Sequence, residues 1–213
     1  NNHGNTTNTR KVEVVYNGNI MDIEKEQPLL TMFDATCLCN NAYLSGNTVV
    51  GQPTEGALLY AAQQLGIQDR RKELKRINET DFNSDTKFME VRYTVSENSC
   101  IDLTNTTNSK KSAEKSYLKG ALEVILPQCV TYLNEKGEKT LLGPELKAHI
   151  QRQATEMASD GLRVIAVACG STLNQYTFCG IAGLMDPLRD GVQDAVHRIQ
   201  DSHAKVMMIT GDA

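Results

Sequence analysis

Leu162-Arg163-Val164-Ile165-Ala166-Val167-Ala168-Cys169 and Tyr176-Thr177-Phe178-Cys179-Gly180-Ile181-Ala182-Gly183-Leu184-Met185 are two dense β-rich runs. Neither run alternates with polar residues, the pattern of strands covered on both faces, so both are expected to lie centrally in a sheet. Upstream, Pro144 opens the longest amphipathic helix, with Leu146, Ile150, Ala154 and Met157 facing inward and Gly161 ending it. A helix feeding two central strands points to mixed α/β architecture.

Met89, Val91, Tyr93 and Val95 alternate with Glu90, Arg92 and Thr94, which predicts a strand with one wet face. Residues 97–116 lose periodicity and read as a surface excursion, with a second strand resuming near Tyr117. Leu122 to Cys129 reads as a short helix interrupted at Pro127, and Val130 to Leu142 as a hairpin around Asn134-Glu135-Lys136-Gly137. Leu30, Phe33, Cys37 and Leu38 recur at helical spacing until Asn40-Asn41 stops them. A second helix is predicted to open at Pro53-Thr54-Glu55 with Thr54 as N-cap, to carry Ala57, Leu58, Ala61, Ala62 and Leu65 on one stripe, and to end at Gly66. The cluster from Arg70 to Arg76 reads as a solvated helix face or linker.

At the start, ten polar residues precede a strand over Lys11 to Tyr16, turned by Asn17-Gly18-Asn19. Asp190 to Ser202 reads as a helix and Lys205 to Ile209 as a buried-type strand ending at Thr210-Gly211-Asp212. That unit places a domain boundary near residues 183 to 187.

With 213 residues, the chain is long enough for one large or two small domains. Lys plus Arg number 22 against 26 Asp plus Glu, a formal charge of -4, which argues against a nucleic-acid surface. No run approaches the roughly 18 apolar residues of a membrane span, and Asn1-Asn2-His3-Gly4 is not a signal peptide, so a soluble chain is expected. The six cysteines (37, 39, 100, 129, 169, 179) fit buried thiols in a reducing compartment better than a disulfide framework. Cys37 and Cys39 lack a second half at zinc spacing, so no metal is expected, and the Asn5, Asn78 and Asn105 sequons are assigned no glycan.

No glycine-rich phosphate loop of the familiar kinds occurs. Six strings taken in order nevertheless resemble one family, the P-type cation-transporting ATPases: Pro53-Thr54-Glu55-Gly56-Ala57-Leu58, Phe82-Asn83-Ser84-Asp85-Thr86-Lys87-Phe88-Met89, Lys119-Gly120-Ala121-Leu122-Glu123, Asp160-Gly161-Leu162-Arg163-Val164, Asp186-Pro187-Leu188-Arg189 and Met208-Ile209-Thr210-Gly211-Asp212. Cys39-Asn40-Asn41-Ala42, Gly51 to Leu58 and Gly161 to Met185 look most like the secretory-pathway (Golgi) calcium/manganese pumps. The resemblance covers about residues 12 to 213. It implies a nucleotide-binding (N) domain over 11–183 and, over 184–213, the start of the second half of the phosphorylation (P) domain, while the polar, Asn- and Thr-rich composition of 1–10 reads as a mobile N-terminus. The implied fold is a mainly antiparallel sheet flanked by helices, followed by a partial Rossmann-like, haloacid-dehalogenase-like segment.

An adenine pocket wants an aromatic for stacking and a nearby acceptor for the exocyclic amine, and Phe82 and Glu55 are of those types. Lys87, Lys119 and Arg163 are cations that a sheet can converge on one anion. By resemblance, Phe82 stacks adenine, Thr54 and Glu55 contact the base, Lys87 and Lys119 line the pocket with Gly120 permitting close backbone approach, and Arg163 meets the phosphates. Where many calcium pumps carry a second arginine two residues after the stacking aromatic, this chain has Ser84. Asp186 and Arg189 are assigned to the hinge and phosphate side, with Leu188 replacing the commoner second proline. Thr210, Gly211 and Asp212 fall beside the phosphorylation site.

The cofactor implied is ATP with Mg²⁺, whose ligands lie mostly elsewhere. The partners implied are the remaining P, actuator and transmembrane domains of an intracellular-membrane pump, with no nucleic acid and no membrane insertion by this segment. Neither the family's phosphorylated Asp-Lys-Thr-Gly-Thr nor its Gly-Asp-Gly-x-Asn-Asp motif occurs, so the segment alone is expected to be inactive. Two other readings stay open: a haloacid-dehalogenase-like phosphohydrolase, which needs an Asp-x-Asp nucleophile, and a non-enzymatic regulatory or binding module.

Overall fold

The computed structural model describes residues 14–16, 19–21, 26–46, 48–95, 113–171, 175–185 and 188–209. In chain order these form β1 (Val14–Tyr16), β2 (Asn19–Met21), α1 (Gln27–Leu38), β3 (Tyr43–Ser45), β4 (Thr48–Val50), α2 (Pro53–Gln64), β5 (Lys75–Thr80), β6 (Phe88–Val95), β7 (Ala113–Gly120), α3 (Leu122–Ile125) with a 3₁₀ turn over Leu126–Gln128, β8 (Cys129–Leu133), β9 (Lys139–Leu141), α4 (Pro144–Ser159), β10 (Arg163–Gly170), β11 (Tyr176–Leu184) and α5 (Val192–Asp201). One seven-stranded sheet organises them in the order β5-β6-β7-β10-β11-β8-β9. Every neighbouring pair is antiparallel except β11–β8, and the two apolar runs β10 and β11 sit centrally, as their lack of polar alternation requires.

The period of two decides which side chain meets which helix. On one face Met89, Val91 and Tyr93 of β6, Tyr117 of β7, and Val167 and Cys169 of β10 pack with Met32, Ala35 and Leu38 of α1. On the other, Leu118, Ala166, Ala168, Tyr176 and Phe178 pack with Ile125, Leu126 and the Leu146 and Ile150 side of α4. Helices therefore cover both faces of a mainly antiparallel sheet. A smaller cluster of Cys37, Ala42, Leu59 and Ala62 binds α2 to α1.

Several sequence expectations change. The Thr54 cap is corrected: the cap is Gln52, two residues earlier, because Pro53 suits the first helical position and the Gln52 carbonyl accepts from Gly56 N–H at 3.0 Å. The buried face of α2 is Glu55, Gly56, Leu58, Leu59 and Ala62, with Ala57 exposed. The Arg70–Arg76 cluster is no linker. Arg70 pairs with the buried Asp34 at 3.0 Å, Arg71 binds the Asn40 and Ala42 carbonyls at 2.9 and 2.7 Å, and Lys75–Thr80 is edge strand β5. Burial pushes the Asp34 carboxyl above its ordinary range, against the pull of Arg70.

The predicted strand Lys205 to Ile209 is also corrected. It pairs with no strand among the described residues, and Met208 and Ile209 are 88% and 93% exposed. Apolar composition alone makes no strand without a ladder partner. Most of the 97–116 excursion, 97–112, lies outside the described residues, as do residues 1–13, whereas Ala113 to Ser116 already belongs to β7.

Candidate functional site

At one end of the sheet β5 and β7 finish while β6 and β10 begin, with Phe88 opposite Gly120 and Ala166 opposite Gly120 on its other side. The ladder thereby sets Lys119 and Gly120 at that end, and β10 extends three residues further to Arg163, which is paired with Leu184. Helix α2 brings its first turn to the same place.

Lys119 lies on the α1 face of β7 and is 5% exposed. A buried ammonium must be paired, and its Nζ donates to Glu55 Oε1 and to the Cys39 carbonyl. Glu55, 8% exposed, also accepts from the Asn41 backbone N–H at 3.2 Å through Oε2, while its own carbonyl accepts from the Asn40 amide at 3.0 Å. The chain leaving α1 is thus stapled to the start of α2. Arg163 Nη1 donates to Thr54 Oγ1 at 3.4 Å, joining exposed Arg163 to the helix turn that bears Glu55.

Phe82 sits on the loop between β5 and β6 and is 61% exposed. Asn83 shapes that loop: its side-chain oxygen accepts from Asp85 N–H at 2.7 Å and its carbonyl from Lys87 N–H at 2.6 Å. Lys87 holds a left-handed φ of 58°, a conformation costing a β-carbon-bearing residue about 1 kcal/mol. Its ammonium pairs with Glu123 at 3.1 Å, and the Glu123 carboxyl is held low by its own backbone N–H and by Lys87.

The close approach that Gly120 permits is that of this chain's own backbone. A β-carbon there would strike the Lys87 carbonyl oxygen and stand 2.7 Å from Phe88 Cα. Gly120→Ala is expected to cost about 1–3 kcal/mol by overpacking, measured by urea denaturation; a loss under about 0.5 kcal/mol would show that the β6–β7 contact yields freely.

Sequence reasoning read Asn41 as a helix stop and as part of the Cys39-Asn40-Asn41-Ala42 string, and missed its partners. The Asn41 amide donates to Glu79 and, at 3.2 Å, to Asp81, while its side-chain oxygen accepts from Arg76 at 2.7 Å. Burial pushes Glu79 up, but hydrogen bonds from Asn41 and with Asp81, together with Arg76, outweigh it and hold Glu79 low; Asp81, bonded to Glu79, is pushed up. The one usable signal was the Asn-Asn pair directly after an apolar helix.

Asp186, Thr210, Gly211 and Asp212 lie outside the described residues. Arg189 is exposed, and its carbonyl accepts from Val192 N–H at 3.2 Å. A cavity of about 1000 Å³ opens beside the Glu55–Lys119 pair, lined by Asn40, Tyr43, Leu59, Gln63, Arg71 and Tyr93 among others. Asn41 and Arg76 border both places, but Phe82, Lys87, Lys119 and Arg163 line none of it, and its arginines are tied to Asp69, Glu79 and main-chain carbonyls. We therefore place the candidate site at the sheet end. Among the described residues no group of three His, Cys, Asp or Glu is arranged to hold a metal, and no helix is long and apolar enough to cross a membrane.

The chain is 34% identical over 201 residues to the calcium-transporting ATPase type 2C member 1 of Mus musculus, covering 94% of this chain and 21% of that protein. It is 36% identical over 182 residues to the type 2C member 2 of Rattus norvegicus, covering 85% and 18%, and 33% identical over 188 residues to calcium-transporting ATPase 1 of Schizosaccharomyces pombe, covering 84% and 19%. It spans about a fifth of the length of these curated relatives. Residues 29–191 match the family model of the P-type ATPase cytoplasmic domain N. With most of the chain matched in this way, and with a helix-flanked, mainly antiparallel sheet, the chain belongs to the P-type ATPases, as their cytoplasmic domain N.

Proposed function

We propose that this chain holds ATP at the sheet end for a P-type pump that forms an aspartyl-phosphate elsewhere in its polypeptide and moves Ca²⁺ or Mn²⁺ across an intracellular membrane of the secretory pathway. The single observation that carries the reading is one chain of contacts: Arg163 bonds Thr54 beside the buried Glu55–Lys119 pair, and Asn41 joins Glu55 to Asp81, the neighbour of the exposed Phe82. The relatives' names supply the pump and its calcium.

The donor set suits an adenine nucleotide. Phe82 offers a free face to the base, Glu55 supplies an acceptor oriented by Lys119 and Asn41, and Lys87 and exposed Arg163 present positive charge to the phosphates. Lys119, committed to Glu55 and Cys39, acts by fixing the acid. Mg²⁺ travelling with ATP would neutralise phosphate charge for transfer to an aspartate. Arg189, Asp186, Thr210, Gly211 and Asp212 are proposed for the phosphate and hinge side, with residues 11–183 as the nucleotide-binding domain and 184–213 as the opening of the phosphorylation domain.

Titration with ATP, followed by backbone amide shifts, tests this. Shifts centred on Thr54, Phe82, Lys87 and Arg163 are expected at millimolar nucleotide. A spectrum unmoved at those residues, or shifts confined to the cavity by Tyr43 and Gln63, would refute it.

A further inference from the structure

Two thiols at the centre of the sheet take no part in the nucleotide reading. Cys169 of β10 and Cys179 of β11 are 4% and 9% exposed, lie on the α1 face, and approach to 3.6 Å between sulfurs. The other described cysteines are not arranged in this way: Cys39 Sγ donates to the Met89 carbonyl and Cys129 Sγ to the Ile125 carbonyl. We propose that Cys169 and Cys179 form a peroxide-oxidisable dithiol, a modification site that closes into a disulfide between the two central strands.

The register explains why the closure is feasible. Cys169 pairs with Thr177 and Ala168 with Phe178, but Val167 pairs with Gly180, so Cys179 is the extra residue of a β-bulge. A bulged residue is left out of the ladder, and its backbone shifts without breaking a paired register. Gly180 beside it takes a φ of 150°, and a β-carbon there would stand 2.7 Å from the Met32 sulfur, so a side chain at that position would collide with α1. A disulfide needs a sulfur separation of about 2.05 Å, so the thiols must close by roughly 1.5 Å, within reach of a side-chain rotation plus a small movement at the bulge.

The hydrogen bond also assigns the roles. Cys179 S–H donates to Cys169 Sγ, which lowers the Cys169 thiol pKa against burial and raises that of Cys179. Cys169 is therefore the sulfur that attacks. Its thiolate displaces hydroxide from hydrogen peroxide by breaking the O–O bond, leaving a sulfenic acid on Cys169. Cys179 sulfur then attacks that sulfur; the S–O bond breaks, the S–S bond forms, and the departing hydroxide takes the Cys179 proton as water. Two thiols and one peroxide give one disulfide and two waters. The cross-link joins β10 and β11 near the end of their ladder remote from the Arg163–Leu184 pair, so oxidation is expected to leave the candidate cleft unchanged.

The test treats the folded chain with hydrogen peroxide, alkylates the remaining thiols, and maps cross-linked peptides by mass spectrometry. The expected product has lost two hydrogens, carries a Cys169–Cys179 linkage about tenfold more abundant than any other pairing, and reverts with dithiothreitol. Cys179→Ala should abolish the linkage and leave Cys169 as sulfenic or sulfinic acid, whereas Cys100→Ala should retain it. A dominant linkage through Cys100, sulfinic acid at Cys169 of the unmutated chain without cross-linking, or no reaction while the chain stays folded would each overturn the proposal. The unmutated chain gives the primary result, so failure of a core variant to fold does not leave the question open.

Discussion

Lys119→Met is expected to lower the stability of this chain by about 3–5 kcal/mol, a loss to be read by chemical denaturation at pH 7. The variant removes an ammonium that is almost fully buried and leaves the Glu55 carboxylate, also buried, without its cation. It also strips a donor from the Cys39 carbonyl at the end of α1. The penalty is mostly that of the abandoned acid, which separates two explanations. The double variant Glu55→Gln/Lys119→Met removes both charges and should recover a large part of the loss, because apolar and neutral replacements of a buried pair are often close to neutral. A single variant within about 1 kcal/mol of the unmutated chain would mean that water reaches the pair. A double variant as unstable as the single one would mean that packing, not charge, is what Lys119 supplies.

That pair shows what the sequence could and could not disclose. Lys119 and Glu55 were both singled out, Glu55 as a base contact and Lys119 as one of several cations around an anion, yet the structure spends the lysine on the acid. The register that does this, Met89 opposite Lys119 with Lys119 turned to the α1 face, depends on pairing between residues far apart in the sequence and has no local signature. Strands β6, β10 and β11 and helix α4 were legible because burial writes a period into their side chains. Strand β5 was not, since Lys75 to Thr80 forms an exposed edge and needs no apolar alternation. The three-residue pair β3–β4 is too short to carry a period, and the bulge at Cys179 interrupts a run that reads as uniformly apolar. In the same way Phe82 and Arg163 could be found from residue type and string, whereas Asn41, Arg76 and Glu79 meet only through the fold.

Phe82→Ala is expected to weaken ATP binding about 5- to 150-fold, the equivalent of roughly 1–3 kcal/mol for one base stacked on an aromatic ring, while changing stability by no more than about 0.5 kcal/mol. The separation follows from the ring's position. At 61% exposure it belongs to none of the three apolar clusters, so truncation opens no cavity, yet the face it presents is the one a base would cover. Because the proposed contact is with the base, ADP and AMP should weaken by the same factor as ATP, and Phe82→Tyr should keep most of the affinity. Arg163→Ala should behave differently, since the exposed guanidinium bonded to Thr54 is the group proposed to meet the phosphates: the loss should be largest for ATP and smallest for AMP. Isothermal titration with the three nucleotides reads both variants, and thermal unfolding checks each fold. Unchanged ATP affinity in Phe82→Ala would remove the stacking role. A Phe82→Ala loss that grew with phosphate number would show instead that the loop carrying Phe82 acts through Lys87, whose left-handed backbone and ion pair with Glu123 the same loop supports.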